Sequence, residues 1–450
     1  MNSVRQVFQP TTPGREIGMD TEKSLRDLYD NLRIAQGHGQ KDRAVSSSED
    51  PFIVKLMQLL LSYGVDLKAS DIHIEPTAVG ARVRYRVDGI LHEMLSLPPE
   101  ISEPFIRSVK IRANMATDVI GRSKPQDGRI DFGSNGPNAK KIDLRISSFP
   151  TLFGDVLAIR ILDRSAPLLE LEQLGFTPST LKEFERLIHR PNGLFLVTGP
   201  ANSGKTTTLY AALNKLRSPR IKVVTLEDPV EYQVEGIDQG QINPAIGVTF
   251  ASGLRSILRQ DSNIILVGEI RDKETADIAI RAALTGHLVL STMHTRNSLG
   301  AATRLIDMQV EPHLIVASVS GVMAQRLVRA LCTGCRAPDL VAARTFTALW
   351  KREMGSALSE SELAQVSKGA GCTNCHTTGY RGRLGIFELL IFTDELKQLV
   401  LDRASGQLYR SANVVPGMVQ TMLLDGLQKV VQGLTTVEEI LRVTGETDEV

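Results

Sequence analysis

Nothing in this chain of 450 residues approaches the roughly 18–20 consecutive apolar residues needed to cross a bilayer. The opening Met1-Asn2-Ser3-Val4-Arg5-Gln6 has no apolar core of the kind that marks an export signal. Membrane-spanning and exported classes are therefore not expected, and the chain reads as cytoplasmic. Charge of one sign is also missing: the formal net charge is +1, which removes any global electrostatic reason to expect nucleic acid as a partner. Cysteine is scarce, at four residues, and without an export signal a disulfide framework is not expected. What remains is ordinary for a globular protein, 42% hydrophobic and 23% charged, and too long for one core, so two or three domains are expected.

The strongest positive signal is Gly199-Pro200-Ala201-Asn202-Ser203-Gly204-Lys205-Thr206, preceded by the apolar run Leu194–Thr198 and followed by the helical stretch Thr207–Leu213. A glycine-bounded loop between a strand and a helix lets successive backbone N–H groups turn toward phosphate oxygens, and the helix adds its positive N-terminal end. Lys205 can reach the β- and γ-phosphates, and the Thr206 hydroxyl can ligate Mg²⁺. Residues Gly199 to Thr207 are thus the candidate nucleotide-binding segment.

Acids at other strand ends supply the rest of a hydrolytic site. Val223-Val224-Thr225-Leu226 ends in Glu227-Asp228, and Ile264-Ile265-Leu266-Val267 ends in Gly268-Glu269. Glu269 is the candidate base for an attacking water, and Glu227 the candidate for the metal side. A third strand, from His287 to Thr292, leads to His294, placed to sense a γ-phosphate. His287 reads equally well as a structural or a reactive residue. From Gly175 onward strands and helices alternate, which predicts a mostly parallel sheet.

Ahead of this lies a smaller α+β pattern over 50–162. Asp50-Pro51 caps a helix with apolar Phe52, Ile53, Leu56, Met57, Leu59 and Leu60, and Asp88-Gly89 is a hairpin turn. Arg82, Arg84 and Arg86 share one strand face, either a solvated surface or one that meets phosphate or a neighbouring subunit. Lys124–Arg129 reads as a turn-rich segment. Strands at 142–147 and 156–162 carry Arg145 and Arg160 on their outward faces. Residues 1–49 read as a flexible arm and 163–174 as a linker, leaving 175–450 as the larger domain.

Cys332-Thr333-Gly334-Cys335 and Cys372-Thr373-Asn374-Cys375 give two turns of two thiolates each, the spacing of a tetrahedral structural zinc site. An iron–sulfur centre is the lesser alternative. Such a metal would pin the polar excursion between the pairs, making 330–388 a zinc-binding subdomain of the larger domain.

Taken in order, Ala69-Ser70-Asp71-Ile72-His73-Ile74-Glu75-Pro76, the phosphate loop, Leu226–Tyr232, Val267–Asp272, Thr285–Val289, Ser291–Thr295 and the two cysteine pairs resemble the GspE/PilB group of secretion ATPases. The resemblance covers nearly everything after residue 50. It implies a RecA-like ATPase domain preceded by a PAS-like small domain, assembled as a homohexamer. The motor would hydrolyse ATP, with Mg²⁺ and Zn²⁺ as cofactors, to power type II secretion pseudopilus or type IV pilus assembly. An inner-membrane platform protein would be its partner, and contact with the inner membrane would come only through partners. Residue by residue, it implies Glu227 as the acid of the aspartate box, Glu269 as the second acid, and His287 and His294 as the histidine-box pair. Arg145 and Arg160 match the inter-domain arginines that reach the phosphates. The sequence departs from the group at Ala201-Asn202, where Thr-Gly is usual, at Phe153–Leu157, and in the short stretch before residue 50. These departures keep two alternatives in view, a weakly hydrolysing nucleotide-binding regulator and the motor of a conjugative-pilus or DNA-uptake machine.

Overall fold

A computed structural model describes residues 48–118, 124–133, 141–165, 168–402 and 418–445. They fall into two compact units, one from the described part of Met1–Ala166 with Cys332–Cys335 and Gly369–Arg381, the other from the remainder. The arm expected over 1–49 lies, up to residue 47, outside the described residues.

In the first unit, helix α1 (Pro51–Asp66) starts where the Asp50 side chain accepts the Phe52 N–H at 2.8 Å. Strands β1 (Asp71–Thr77), β2 (Gly80–Val87) and β3 (Ile90–Leu97), helix α2 (Pro99–Arg112), and strands β4 (Gln126–Gly133), β5 (Lys141–Thr151) and β6 (Gly154–Asp163) follow. They make one six-stranded sheet in the order β3-β2-β1-β6-β5-β4. Alternation divides each strand. Ile72, Ile74, Val83, Tyr85, Leu144, Ile146, Leu157 and Ile159 pack with α1 and α2, and the charged residues take the other face.

The segment expected to be turns over Lys124–Arg129 is instead the start of the edge strand β4. Asp127 and Gly128 pair with Ser147 and Ile146 of β5. Gly128 serves packing rather than a turn, since a Cβ there would lie 2.4 Å from the Ala113 carbonyl. The arginines of β2 are paired: Arg84 and Arg82 with Glu75, and Arg86 with Asp71 at 3.6 Å.

The second unit begins inside the stretch expected as a linker. Leu171 and Leu174 are buried in a core shared with Phe184 of helix α3 (Pro178–Ile188). Its strands are β7 (Gly193–Thr198), β8 (Val223–Glu227), β9 (Asp238–Gln241), β10 (Ile264–Val267), β11 (Leu288–Met293) and β12 (Val319–Leu331). After a short ribbon of β13 (Arg336–Pro338) and β14 (Ser367–Gly369) come β15 (Tyr380–Ile391) and β16 (Met418–Gln420). The larger sheet runs β16-β15-β12-β7-β11-β10-β8-β9, parallel from β12 to β9. Helices α4 (Lys205–Leu216), α5 (Phe250–Ile257) and α6 (Lys273–Leu284) connect its middle strands.

The near-continuous apolar runs of these strands are explained by two cores. Leu194 and Leu196 of β7 enter one core with Val224, Ile265 and Val289, and Phe195 and Val197 enter a second with Leu266 and Leu290. No helix among the described residues is long and apolar enough to cross a membrane.

Candidate functional site

Because β7, β8, β10 and β11 are parallel and in register, their C-terminal ends share one edge of the sheet. That edge collects Gly199, Glu227, Glu269 and His294, each within two residues of its strand's last position. His287 is not among them. It precedes β11 at the opposite edge, a strand length of about 20 Å away, and its Nδ1 donates to the Ala282 carbonyl at 3.0 Å.

The loop from Gly199 to Gly204 closes through three left-handed or glycine-type conformations, with φ +151° at Gly199, +61° at Asn202 and +87° at Gly204. Asparagine adopts this region more readily than other residues with a Cβ, so the loop bends at Asn202 without a glycine. Ala201 and Asn202 are exposed, whereas Ser203 is 3% exposed. Thr198 Oγ1 and Ser203 Oγ are buried at the loop without hydrogen-bond partners. A loop that holds unpaired buried hydroxyls and turned-in backbone is suited to an anionic ligand with several oxygens. Thr206 and Thr207 stand in the first turn of α4, Thr206 exposed.

The Lys205 ammonium donates to the Gly199 carbonyl at 2.9 Å and the Pro200 carbonyl at 2.8 Å. Burial pulls its pKa down to about 8; Glu269 opposes that fall and the Arg326 guanidinium adds to it. The depressed value makes the folded chain gain stability as pH rises from about 8 toward the lysine's ordinary range, because the unfolded chain then binds the extra proton. For an anionic ligand the sign is reversed, since only the ammonium attracts it. Affinity for Mg²⁺-ADP is therefore expected to hold between pH 7 and 7.5 and to fall above pH 8 by as much as about tenfold per unit. A titration calorimetry series checks this, and Lys205→Arg is expected to flatten the step, because guanidinium stays charged throughout.

Glu269 is mostly buried, with its side chain 14% exposed; it is paired with Arg271 and lies 3.3 Å from Nε2 of the exposed His294. Glu227 is set deeper, at 4% exposure. One of its oxygens accepts from the Tyr210 hydroxyl, and the other from Thr225 Oγ1 at 2.6 Å and Gln239 Nε2 at 3.3 Å. Burial pushes its carboxyl pKa up, and these three donors partly offset that. Glu227 is thus held by three donors deep in the sheet, whereas Glu269, also paired on both oxygens, is the more exposed carboxylate at this edge.

Sequence reasoning missed Gln325 and Arg326. Gln325 is buried on β12, hydrogen-bonded to the loop and to α4. Arg326 donates to the Gln325 and Arg296 carbonyls, and burial lowers its pKa. No local pattern announces either residue, because the loop, helix and strand end that they tie together come from separate stretches of the chain.

In the first unit, Arg145 and Arg160 are direct cross-strand partners on β5 and β6, with Arg129 opposite Arg145 on β4. Arg160 Nε lies 3.5 Å from Asp71, and Arg145 Nε 3.7 Å from the buried Asp143, which also receives Arg129 and, at 2.8 Å, Arg164.

The four cysteine sulfurs lie within 4.8 Å of one another. The contacts Cys332–Cys372, Cys335–Cys375 and Cys372–Cys375 are each 3.7 Å. Four sulfurs about 2.3 Å from a tetrahedral zinc would stand ~3.8 Å apart, whereas a disulfide would need about 2.05 Å. Backbone N–H groups of Cys372 and Gly379 point at Cys375 Sγ at 3.2 and 3.3 Å, as they do toward thiolates. Burial pushes the Cys335 thiol up to about 12, while for Cys375 those N–H groups overcome burial and bring it to about 7. Four converging sulfurs with this spacing fit a divalent cation, and zinc would be held by Cys332, Cys335, Cys372 and Cys375.

A parallel sheet with a phosphate loop at its central strand, and a carboxylate and a histidine on the same edge, defines a phosphate-loop nucleotide-binding protein. The chain belongs to the type II/IV secretion system protein family, which it matches over residues 46–442. It is 41% identical to the type II secretion system ATPase E of Vibrio cholerae, over 99% of this chain and 86% of that protein. It is 40% identical to the type IV pilus assembly ATPase PilB of Myxococcus xanthus, over 95% of this chain and 74% of that one. Among solved structures, the pilus retraction motor PilT with bound ADP aligns with a TM-score of 0.55 at 25% identity, over 87% of this chain and 98% of PilT.

Proposed function

We propose that this protein is the ATP-hydrolysing motor subunit of a type II secretion or type IV pilus assembly machine, working as a homohexamer on an inner-membrane platform protein from the cytoplasmic side. The observation that carries the reading is the Lys205–Glu269 arrangement: a phosphate-loop lysine after β7 and a carboxylate after β10 on one edge of the parallel sheet, with the Glu269 charge countering the fall that burial imposes on the lysine. The names of the relatives point the same way. On this reading residues 175–450 are a RecA-like domain that includes the 330–388 zinc subdomain, and 50–162 are a PAS-like domain.

The loop N–H groups and Lys205 would bind the β- and γ-phosphates. The Thr206 hydroxyl would help hold Mg²⁺, which when bound would supply charge neutralisation for the phosphates. Glu269 would orient and deprotonate water, with His294 beside it to register the γ-phosphate. Arg145 and Arg160, cross-strand partners on β5 and β6, would be the charge-bearing residues of the small domain on this reading. Glu227, fully hydrogen-bonded, suits a role in holding the strand ends in place unless it exchanges one of its donors for the metal's water shell. The weak-hydrolysis alternative, motivated by Ala201-Asn202, is decided by steady-state phosphate release; the left-handed backbone at Asn202, φ +61°, supports a loop that still forms.

Lys205→Ala decides the core of the proposal. It is expected to abolish detectable binding of a fluorescent ADP analogue and steady-state phosphate release while leaving the melting curve in place. Wild-type binding by Lys205→Ala would overturn the site.

A further inference from the structure

Gln325 sits in the middle of β12 at 2% exposure, and both ends of its amide are in use. Nε2 donates to the Ser203 carbonyl at 2.9 Å, and Oε1 accepts from Thr208 Oγ1 at 2.9 Å. The amide can face only one way, because a backbone carbonyl accepts and never donates, so the nitrogen must meet Ser203. The loop's two bounding glycines also pack on this residue. A Cβ at Gly204 would lie 2.7 Å from Gln325 Nε2, and one at Gly199 would lie 2.6 Å from the Gln325 carbonyl oxygen. Thr208 is one turn into α4, its N–H bonded to the Gly204 carbonyl at 3.0 Å.

We infer that Gln325 is a positioning residue for phosphate binding, which holds the Ser203–Gly204 peptide so that the Gly204 N–H is aimed into the loop. The inference rests on the reading that this loop binds nucleotide phosphates. A trans peptide is planar, so the Ser203 carbonyl and the Gly204 N–H point in opposite directions. With the carbonyl fixed toward β12, the N–H is fixed away from it, on the side where a phosphate oxygen would be received. Released from Gln325, the peptide is free to rotate until the carbonyl oxygen faces the site, where its lone pairs repel an anion. The Thr208 bond completes the device. It ties the same amide to the first turns of α4, so loop and helix end are held by one side chain from a strand more than a hundred residues later.

The test uses the full-length chain at pH 7 with Mg²⁺ and a fluorescent ADP analogue, comparing wild type, Gln325→Leu, Gln325→Glu, Thr208→Val and Lys205→Ala. Gln325→Leu is expected to weaken binding by about tenfold or more, a factor of ten being the worth of a single well-made contact. Gln325→Glu keeps the size and the Thr208 bond but sets lone pairs against the Ser203 carbonyl, and is expected to bind at least as weakly. Thr208→Val, which loosens only the helix side, is expected to fall between wild type and Gln325→Leu. A merely structural Gln325 would lower the melting temperature of the nucleotide-free protein while the folded fraction kept wild-type affinity, and that pattern overturns the inference. If Gln325→Leu fails to fold, Gln325→Glu and Thr208→Val carry the decision by the same criteria. Wild-type affinity in the Gln325 variants, with binding lost in Lys205→Ala, overturns the positioning role and leaves the nucleotide site standing. No binding by the wild-type chain overturns both.

Discussion

Glu269→Gln is expected to lower ATP turnover by about 10²–10⁴-fold, the range of a lost general base, with nucleotide affinity at pH 7 held within about threefold of wild type. The amide has the carboxylate's shape and can still meet Arg271 and His294, so packing at the end of β10 is preserved. What it cannot do is take a proton from water. The change also removes the one carboxylate that props up the Lys205 ammonium against burial, so the comparison belongs well below the lysine's pKa of about 8. Phosphate release under saturating ATP, beside equilibrium binding, separates the two effects. Turnover at the wild-type rate would move the base elsewhere. A joint loss of folding and binding would make the Glu269–Arg271 pair structural.

The second large effect concerns the metal. Purified chain is expected to carry one zinc per subunit, and stripping it, or replacing Cys372 and Cys375 together by serine, is expected to unfold the segment between the cysteine pairs. Zinc in small tetracysteine and related peptides contributes ~10–16 kcal/mol of apparent binding energy near neutral pH. That rivals the whole stability of an ordinary domain, about 5–15 kcal/mol. The four sulfurs converge on one another within 4.8 Å, so removing the ion leaves thiols facing thiols. Elemental analysis, thiol titration before and after chelation, and limited proteolysis across Arg336–Gly371 read the outcome. A metal-free preparation whose proteolysis and melting match those of the zinc-loaded chain would remove zinc from the account. Iron in place of zinc would turn it toward a cluster.

Several parts of this were legible in the sequence because the rules that govern them are local. The Asp50 cap, the Asp88-Gly89 hairpin and the strand–loop–helix around Lys205 each depend on residues within a few positions of one another. The acids at strand ends were legible for a related reason: once the strands are parallel, their last residues must share an edge. The same rule, applied strictly, would have separated His287 from His294, since one precedes its strand and the other follows it. Strand β4 was lost behind Pro125, Asp127 and Gly128, residues that mark turns elsewhere but here serve an edge strand pressed against α2. Least legible were contacts between distant segments. Gln239 and Tyr210 on Glu227, Gln325 under the loop, and the start of the second core at Leu171 have no periodic or motif signature. They follow from which strands become neighbours.

The two-core arrangement of β7 has a mechanical consequence. A strand with one free face can tilt by shedding contacts on one side, but Leu194 to Val197 are gripped alternately from both. The root of the phosphate loop is therefore a stiff mount, and displacing it means shearing two packed layers together. The exposed part of the loop is the Ala201-Asn202 crest, beyond which the Ser203 carbonyl is held again by Gln325. Any force generated as phosphates come and go would enter the sheet through that root with little lost to local deformation.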